Sequence, residues 1–337
     1  MYHNLVKGTY YNMGFKYGSI LYKHGFRISE QSSEKLNFGR KSEKEVKRIF
    51  PDILEEIKGF ADACHASYEQ MIAFMFSIGA FKVEPMCSVF AAFNGSNVVF
   101  GRNYDFFYSF KKYTESYLTC PDDGYFSIGH TDVFIGREDG VNEKGLAIGM
   151  TEVDSEGNKP GISFVLALRC VLDKCSNVKE GVKILSDACH TSTFNFLLAD
   201  REGSMAVVEA SPERVRVRRP EEADRFLVTT NHFVHPEMLK MENVKERCWD
   251  SIPRYKTIYN TLRQQDGKID IRSAQKILSN HSGYVCSHQK SIQLGTLWSI
   301  ITNPKNLQIF RAEGHPCRAK YRQDVRLDKA MRKHQGS

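Results

Sequence analysis

The sequence predicts an α+β protein in which two sheets are covered by helices and preceded by a helical segment. Three observations lead there. Apolar residues recur at helical spacing through the first third of the chain. At Pro85-Met86-Cys87 the pattern switches abruptly to strand, turn and strand. Strand-like runs then alternate with pairs of helices toward the C-terminus.

The elements follow in order. Thr9 to Gly25 carries aromatic and aliphatic residues at helical spacing, with Gly14 and Gly18 where another element can approach closely. Ser42 to Ala63 opens with Ser42 as N-cap and Glu45 three residues on, a capping-box pattern, and Pro51 divides it into two helices. Ser67 to Phe81 reads as a capped apolar helix. CSVFAAF, Asn94-Gly95 and NVVFGR form a hairpin, Asn-Gly being the strongest short hairpin signal. Further strands are expected at 132–136, 145–152, 194–199, 206–209, 214–218, 296–302 and 307–311, and helices at 162–172, 178–188, 252–263 and 271–279. No repeat or low-complexity linker interrupts the chain.

Bulk properties narrow the function classes. Of 337 residues, 41% are hydrophobic and 26% charged, ordinary for a globular protein. The net charge of +7 is scattered, apart from Arg214, Arg216, Arg218 and Arg219 and a basic tail from Arg318 to Lys333. The first three of those arginines alternate with Val215 and Val217, as on the solvated face of a strand, and no nucleic-acid module is readable. The nine cysteines stand singly, with no CxxC pair, which points to free thiols in a reducing, cytoplasmic setting. The start, MYHNLVKGTYYNMG, has no apolar signal region, and no stretch approaches 18 uncharged apolar residues, so no membrane span is expected.

The chemistry centres on Cys87, which opens the first hairpin strand, while GRNYD ends the second. An antiparallel hairpin returns the chain to its start, so Arg102 and Asp105 are expected beside Cys87. A guanidinium there would lower a thiol pKa that starts at about 8.5. A carboxylate there would hold the ammonium of a freed Cys87 terminus, whose amine, titrating at about 7.7–8, would serve as base.

MCSVFAAF…GRNYDF, GREDGVNEKGLAIG, VTTNHF and the arginine of SIPRY together resemble the choloylglycine hydrolase and acyl-CoA:6-aminopenicillanic acid acyltransferase group of N-terminal-nucleophile (Ntn) hydrolases. The resemblance reaches GTYYNMGFKYGSIL, similar to the propeptide of the acyltransferase branch (peptidase family C45), and TLWSIITNPKNLQIFRAEGHPC near the C-terminus. It implies a four-layer αββα sandwich of two antiparallel sheets, with residues 1–86 a helical propeptide or small chain and 87–337 the catalytic domain. It implies Cys87 as nucleophile, with Arg102 and Asp105 around its thiol and amine. It further implies Asn142 and Asn231 at the oxyanion hole and Arg254 as a second active-site arginine. Pre-aimed donors of that kind are worth roughly 3–4 kcal/mol each. Self-cleavage between Met86 and Cys87 would free the amine, and the two self-derived chains are expected to stay associated. The expected activity is hydrolysis or transfer of the acyl group of a small linear amide. No cofactor is required, though acyl-CoA stays open as an acyl donor. A small residue commonly precedes the nucleophile in the acyltransferase branch, and Met86 stands there here.

Blander readings accompany these. A lone cysteine on an apolar strand is usually a small core residue. Arg102 and Asp105 suit a structural ion pair, and Asn142 and Asn231 suit turns. Tyr104, Phe106 and Phe107 either line an acyl pocket or pack the core. His288, His190 and Cys189 fit no common metal spacing, so no metal is expected, and His288 is a weak alternative as the base of a Cys–His pair. An uncleaved, non-catalytic binding protein that retains the fold is the competing function.

Overall fold

The computed structural model describes residues 1–81, 86–154, 157–221, 224–242 and 250–335. Pro85, on which the switch to strand was placed, and Cys248 lie outside them.

The chain opens with strand β1 (Tyr2–Gly8), then helices α1 (Tyr10–Lys23), α2 (Ser33–Ile49), α3 (Asp52–Ala63) and α4 (Tyr68–Ser77). The hairpin follows as β2 (Met86–Phe93) and β3 (Val98–Phe107), then a meander of β4 (Glu115–Pro121), β5 (Ser127–Thr131), β6 (Asp139–Asn142) and β7 (Leu146–Glu152). Helices α5 (Phe164–Lys174) and α6 (Val178–Asp187) lead to β8 (Phe194–Asp200), β9 (Met205–Ala210), β10 (Val215–Arg218) and β11 (Phe226–Thr229). The chain ends with α7 (Ser251–Gln264), α8 (Ile271–Leu278), β12 (His288–Gln289), β13 (Leu294–Asn303), β14 (Gln308–Glu313), β15 (Arg322–Gln323) and α9 (Arg326–Gln335).

One sheet has the order β1-β4-β5-β6-β7-β8-β9-β10, and the other β11-β2-β3-β13-β14-β15, with β12 also on β13. Among the described residues, all pairings between these strands are antiparallel except β1 with β4. Strand alternation divides the core into layers. Cys87, Val89 and Ala91 face Leu197, Ala199 and Ala147 of the other sheet. Phe90 and Ala92 face Ile258 and Leu262 of α7 and Leu278 of α8. Ile148, Phe196 and Val208 pack under α1, α3, α4 and α5. The order helix, sheet, sheet, helix is the four-layer αββα sandwich that the sequence led us to expect.

The N-terminal helices share the core of the larger sheet. Met13, Phe60 and Met75 sit in one cluster with Leu166, Leu168 and Ile148. A buried network reinforces that seam: Arg169 on α5 donates to Glu56 at 3.0 Å and to Asp173 at 2.9 Å, and the Tyr10 hydroxyl donates to Asp173 at 3.0 Å. The expected close approach at Gly14 and Gly18 is present. A Cβ on Gly14 would lie 1.9 Å from the Glu56 carbonyl oxygen, and one on Gly59 would lie 2.1 Å from that of Tyr11. The α1–α3 crossing therefore tolerates only glycine at its contact points.

Several local expectations are corrected. Ser42 is buried inside α2, whose cap is Ser32; its hydroxyl accepts from the Gly161 amide, and Glu45 pairs with Arg48. The apolar run at 132–136 is a turn-rich link between β5 and β6 rather than a strand. The Asn-Gly hairpin closes through four residues, with the Asn94 side chain accepting from the Ser96 and Asn97 amides and Gly95 at φ +96°. Among the described residues, no helix is long and apolar enough to cross a membrane.

Candidate active site

The hairpin register decides who meets whom. Cys87 lies opposite Tyr104, Val89 opposite Arg102, and Met86 opposite Asp105. Side chains alternate across a strand, so Arg102 shares the inter-sheet face with Cys87 while Asp105 occupies the other face. The two charged groups thus flank Cys87 from opposite sides of one strand.

On the inner face, Arg102 Nη2 donates to Cys87 Sγ at 3.2 Å. The guanidinium has no freedom to wander. Nη1 donates to Asp139 at 2.6 Å and Nε to the Met150 carbonyl at 3.3 Å. Asp139 is itself gripped by His130 Nδ1 at 2.6 Å and by the Trp298 indole N–H at 2.9 Å. Burial works to raise the Asp139 carboxyl, but His130 and Arg102 overcome it and hold it below its usual range. Gly149 lies beneath this arrangement, where a Cβ would meet Arg102 Cδ at 3.1 Å.

On the other side, Asn231 and Arg254 grip the Cys87 backbone. Asn231 Oδ1 accepts from the Cys87 amide at 2.9 Å, and Arg254 Nη1 donates to the Cys87 carbonyl at 2.5 Å. Arg254 Nη2 also donates to Asn231 Oδ1 at 2.9 Å and to Asp250, the N-cap of α7 one turn earlier, at 3.1 Å. The loop carrying Asn231 is clamped because Asn195 Nδ2 donates to the carbonyls of both Thr230 and His232. Asn231 Nδ2 in turn donates to the Glu152 carbonyl at 2.8 Å.

Asp105 accepts from the Thr296 hydroxyl at 2.5 Å through Oδ1, while its buried Oδ2 has no hydrogen-bond partner among the described residues. Burial pushes its carboxyl up to about 7, against the opposing pull of Arg254 and Thr296. Burial likewise pushes the Cys87 thiol up to about 12, and Arg102 only partly offsets it. The expected lowering of the thiol pKa is therefore reversed in the intact chain. A fully buried sulfur loses more from desolvation than one guanidinium returns.

The structure brings together Cys87, Arg102, Asp105, Asn231 and Arg254. It does not bring Asn142 to them. Asn142 lies on β6 one strand step out of phase with Asp139, so it faces α5 rather than the second sheet. Its amide donates to the Leu172 and Cys175 carbonyls at 2.9 and 2.7 Å, and its oxygen accepts from the Lys144 and Leu146 amides. These bonds terminate α5 and fasten the β6–β7 turn. Tyr104 and Phe106 are core residues between the sheets. Tyr104 stacks on Trp298 with centroids 3.9 Å apart and donates to Asp132, and Phe106 packs on the half-buried Phe107 and on Phe110.

Four groups escaped sequence reasoning. Asp139 lies inside GREDGVN, three residues before Asn142. Asp250 was detectable as an i,i+4 partner of Arg254. Thr296 and Glu152 reach the site through pairings distant in sequence. Burial holds the Glu152 carboxyl well above its usual range, and its Oε2 has no hydrogen-bond partner among the described residues. A separate group, His281, Cys286, His288 and Cys317, gathers four metal-ligating atoms within 4.8 Å of one another. His190 and Cys189, considered with His288 in the sequence, are not part of this group.

The family model described as acyl-coenzyme A:6-aminopenicillanic acid acyl-transferase matches residues 92–317, beginning just after Cys87. Among solved structures, the Caenorhabditis elegans ortholog of N-acylethanolamine-hydrolyzing acid amidase is similar, with a TM-score of 0.50 and 17% identity over 65% of this chain and 93% of that one. A variant of conjugated bile acid hydrolase from Clostridium perfringens gives 0.49 and 15%, over 71% and 96% of the two chains. Penicillin V acylase from Agrobacterium tumefaciens gives 0.46 and 19%, over 67% and 83%. No curated protein sequence matches. With the αββα sandwich and a family match over more than half of its length, the chain belongs to the acyl-coenzyme A:6-aminopenicillanic acid acyl-transferase family of Ntn-hydrolase fold.

Proposed function

We propose that the protein is a self-activating cysteine Ntn hydrolase that cleaves or transfers the acyl group of a linear amide. The observation that carries this reading is the three-sided grip on one residue. The Cys87 sulfur, amide N–H and carbonyl are held by Arg102, Asn231 and Arg254 respectively. A structural core cysteine needs none of these partners.

In the first stage, Cys87 Sγ attacks the Met86 carbonyl carbon, the C–N bond of Met86–Cys87 breaks, and the nitrogen takes up the thiol proton. Water then hydrolyses the resulting thioester, leaving a carboxylate on Met86 and a free thiol and amine on Cys87. Asn231 Oδ1, which accepts from the amide in the intact chain, would accept from the amine afterwards, so the nitrogen keeps its place. The unpartnered Oδ2 of Asp105 offers that new ammonium a counter-charge. In the second stage the amine takes the thiol proton, the sulfur attacks the substrate carbonyl, and the substrate amine leaves protonated. Water completes hydrolysis, or an acceptor amine completes transfer, through the same thioester. Arg102 supplies the positive charge that stabilises the thiolate as it forms.

The similar Caenorhabditis elegans protein is named for N-acylethanolamine hydrolysis, so an N-acyl amine or N-acyl amino acid is the class proposed here. The fragments 1–86 and 87–337 would remain associated through their shared core. One feature favours the competing reading of an uncleaved binding protein: Cys87 is 0% exposed and its thiol is protonated. Intact mass under denaturing conditions separates the two. Two fragments dividing between Met86 and Cys87 in wild type, with one full-length chain in Cys87→Ala, are expected. A single chain in both, inert to thiol reagents at Cys87, refutes the self-activating enzyme.

A further inference from the structure

We propose that His281, Cys286, His288 and Cys317 bind one zinc ion in a closed structural site, separate from Cys87. The four donor atoms already lie within 4.8 Å of one another. His288 Nε2 stands 3.4 Å from Cys286 Sγ and 3.1 Å from Cys317 Sγ. A tetrahedral zinc with bonds of about 2.0–2.3 Å needs donors roughly 3.3–3.8 Å apart, so small side-chain adjustments complete the shell. Two thiolates and two imidazoles are the donor set of structural zinc, and hard cations such as magnesium or calcium would not select it. With four protein ligands no position is left for water or substrate, so the ion holds structure and carries no chemistry.

The backbone around the donors is already fastened. The Cys286 amide donates to the Asn280 carbonyl at 2.7 Å, and Ser279 Oγ donates to the Pro316 carbonyl at 3.1 Å. The His315 ring stacks on His288 with centroids 3.9 Å apart, fixing the plane of that ligand. Cys317 comes from the segment after β14, whereas the other three lie between α8 and β13. The ion would therefore tie the end of the catalytic segment to the loop before β13. That loop matters to the active site. Between two ligands, the Ser287 amide donates to Thr296 Oγ1 at 3.1 Å, and Thr296 donates to Asp105. The zinc thus positions Asp105 through Ser287 and Thr296, and this part of the inference rests on the proposed role of Asp105.

Elemental analysis of the purified full-length chain is expected to find one zinc per chain, and Cys286→Ser/Cys317→Ser to lose it. Replacement by cobalt(II) is expected to give the intense visible bands of a tetrahedral ion with thiolate-to-metal charge transfer. Cys317→His is expected to keep the ion and shift those bands. Should the double variant fail to fold, the wild-type cobalt spectrum alone decides. A folded wild type that takes up neither zinc nor cobalt overturns the site, as does a Cys286–Cys317 disulfide in the reduced-buffer preparation. Metal binding is read independently of self-cleavage, so a Cys87→Ala chain that binds zinc would uphold the site even if the proposed activity failed.

Discussion

Asp139 holds Arg102 by an ion pair of 2.6 Å and, through it, aims a guanidinium at the Cys87 sulfur 3.2 Å away. Neither member of the pair is exposed. Replacing Asp139 by Asn leaves buried Arg102 with only Glu138, 3.7 Å away and held toward its neutral form by burial, as an acidic neighbour, which costs about 3–5 kcal/mol of stability. It also frees the guanidinium to leave the sulfur. Self-cleavage is expected to slow by roughly 10²-fold, the scale of one aimed donor lost, in a time course of intact mass at a temperature where the variant is folded.

Asn142→Ala is expected to act on stability and leave the chemistry intact. The substitution strands the carbonyls of Leu172 and Cys175, costing about 2 kcal/mol or more. Thermal unfolding should show the loss, while the single-turnover rate below the transition stays within a few-fold of wild type. A large fall in rate with unchanged stability would restore the oxyanion role that the family resemblance implies.

The pH dependence of the uncleaved chain has a defined sign. Asp105 moves from an ordinary 3.8 to about 7 on folding. Between those values the folded chain keeps a proton that the unfolded chain has lost, so stability falls as pH rises through that window. The slope is at most about 1.4 kcal/mol per pH unit. Denaturant titrations of Cys87→Ala from pH 4 to pH 8, beside Cys87→Ala/Asp105→Asn, are expected to show a shallower decline in the double variant.

Gly59→Ala drives a methyl against the Tyr11 carbonyl oxygen, where backbone and not a flexible side chain must yield. A loss of about 1–3 kcal/mol is expected. In cleaved protein the same change should weaken retention of residues 1–86, measurable by gel filtration in dilute denaturant.

The legible parts of this protein are those written locally. Asn94-Gly95 announced the hairpin, and the hairpin alone brings Arg102 to Cys87. Gly14 and Gly18 announced a close crossing because only bulk-free positions permit one. What stayed hidden depends on pairing between distant segments. Thr296 meets Asp105 only through the β3–β13 ladder, and Cys317 meets His288 only after β14 returns the chain. The direction in which Asn142 faces stayed hidden for a subtler reason. β6 has four residues, too few to reveal its alternation, so which of Asp139 and Asn142 faces inward could not be read. β1 was invisible because its partner β4 lies more than a hundred residues away and runs parallel to it.

That β1–β4 pairing has a kinetic consequence. While the chain is whole, the edge strand is delivered to its sheet by tethering, at a high effective concentration that dilution cannot change. Once the Met86–Cys87 bond is cut, the same strand belongs to a second molecule, and its return becomes bimolecular. The processed protein would then be a heterodimer assembled before it was divided. Its lifetime would be set by the rate at which β1 and the α1–α3 helices peel away, and pieces separated in denaturant would recombine with second-order kinetics.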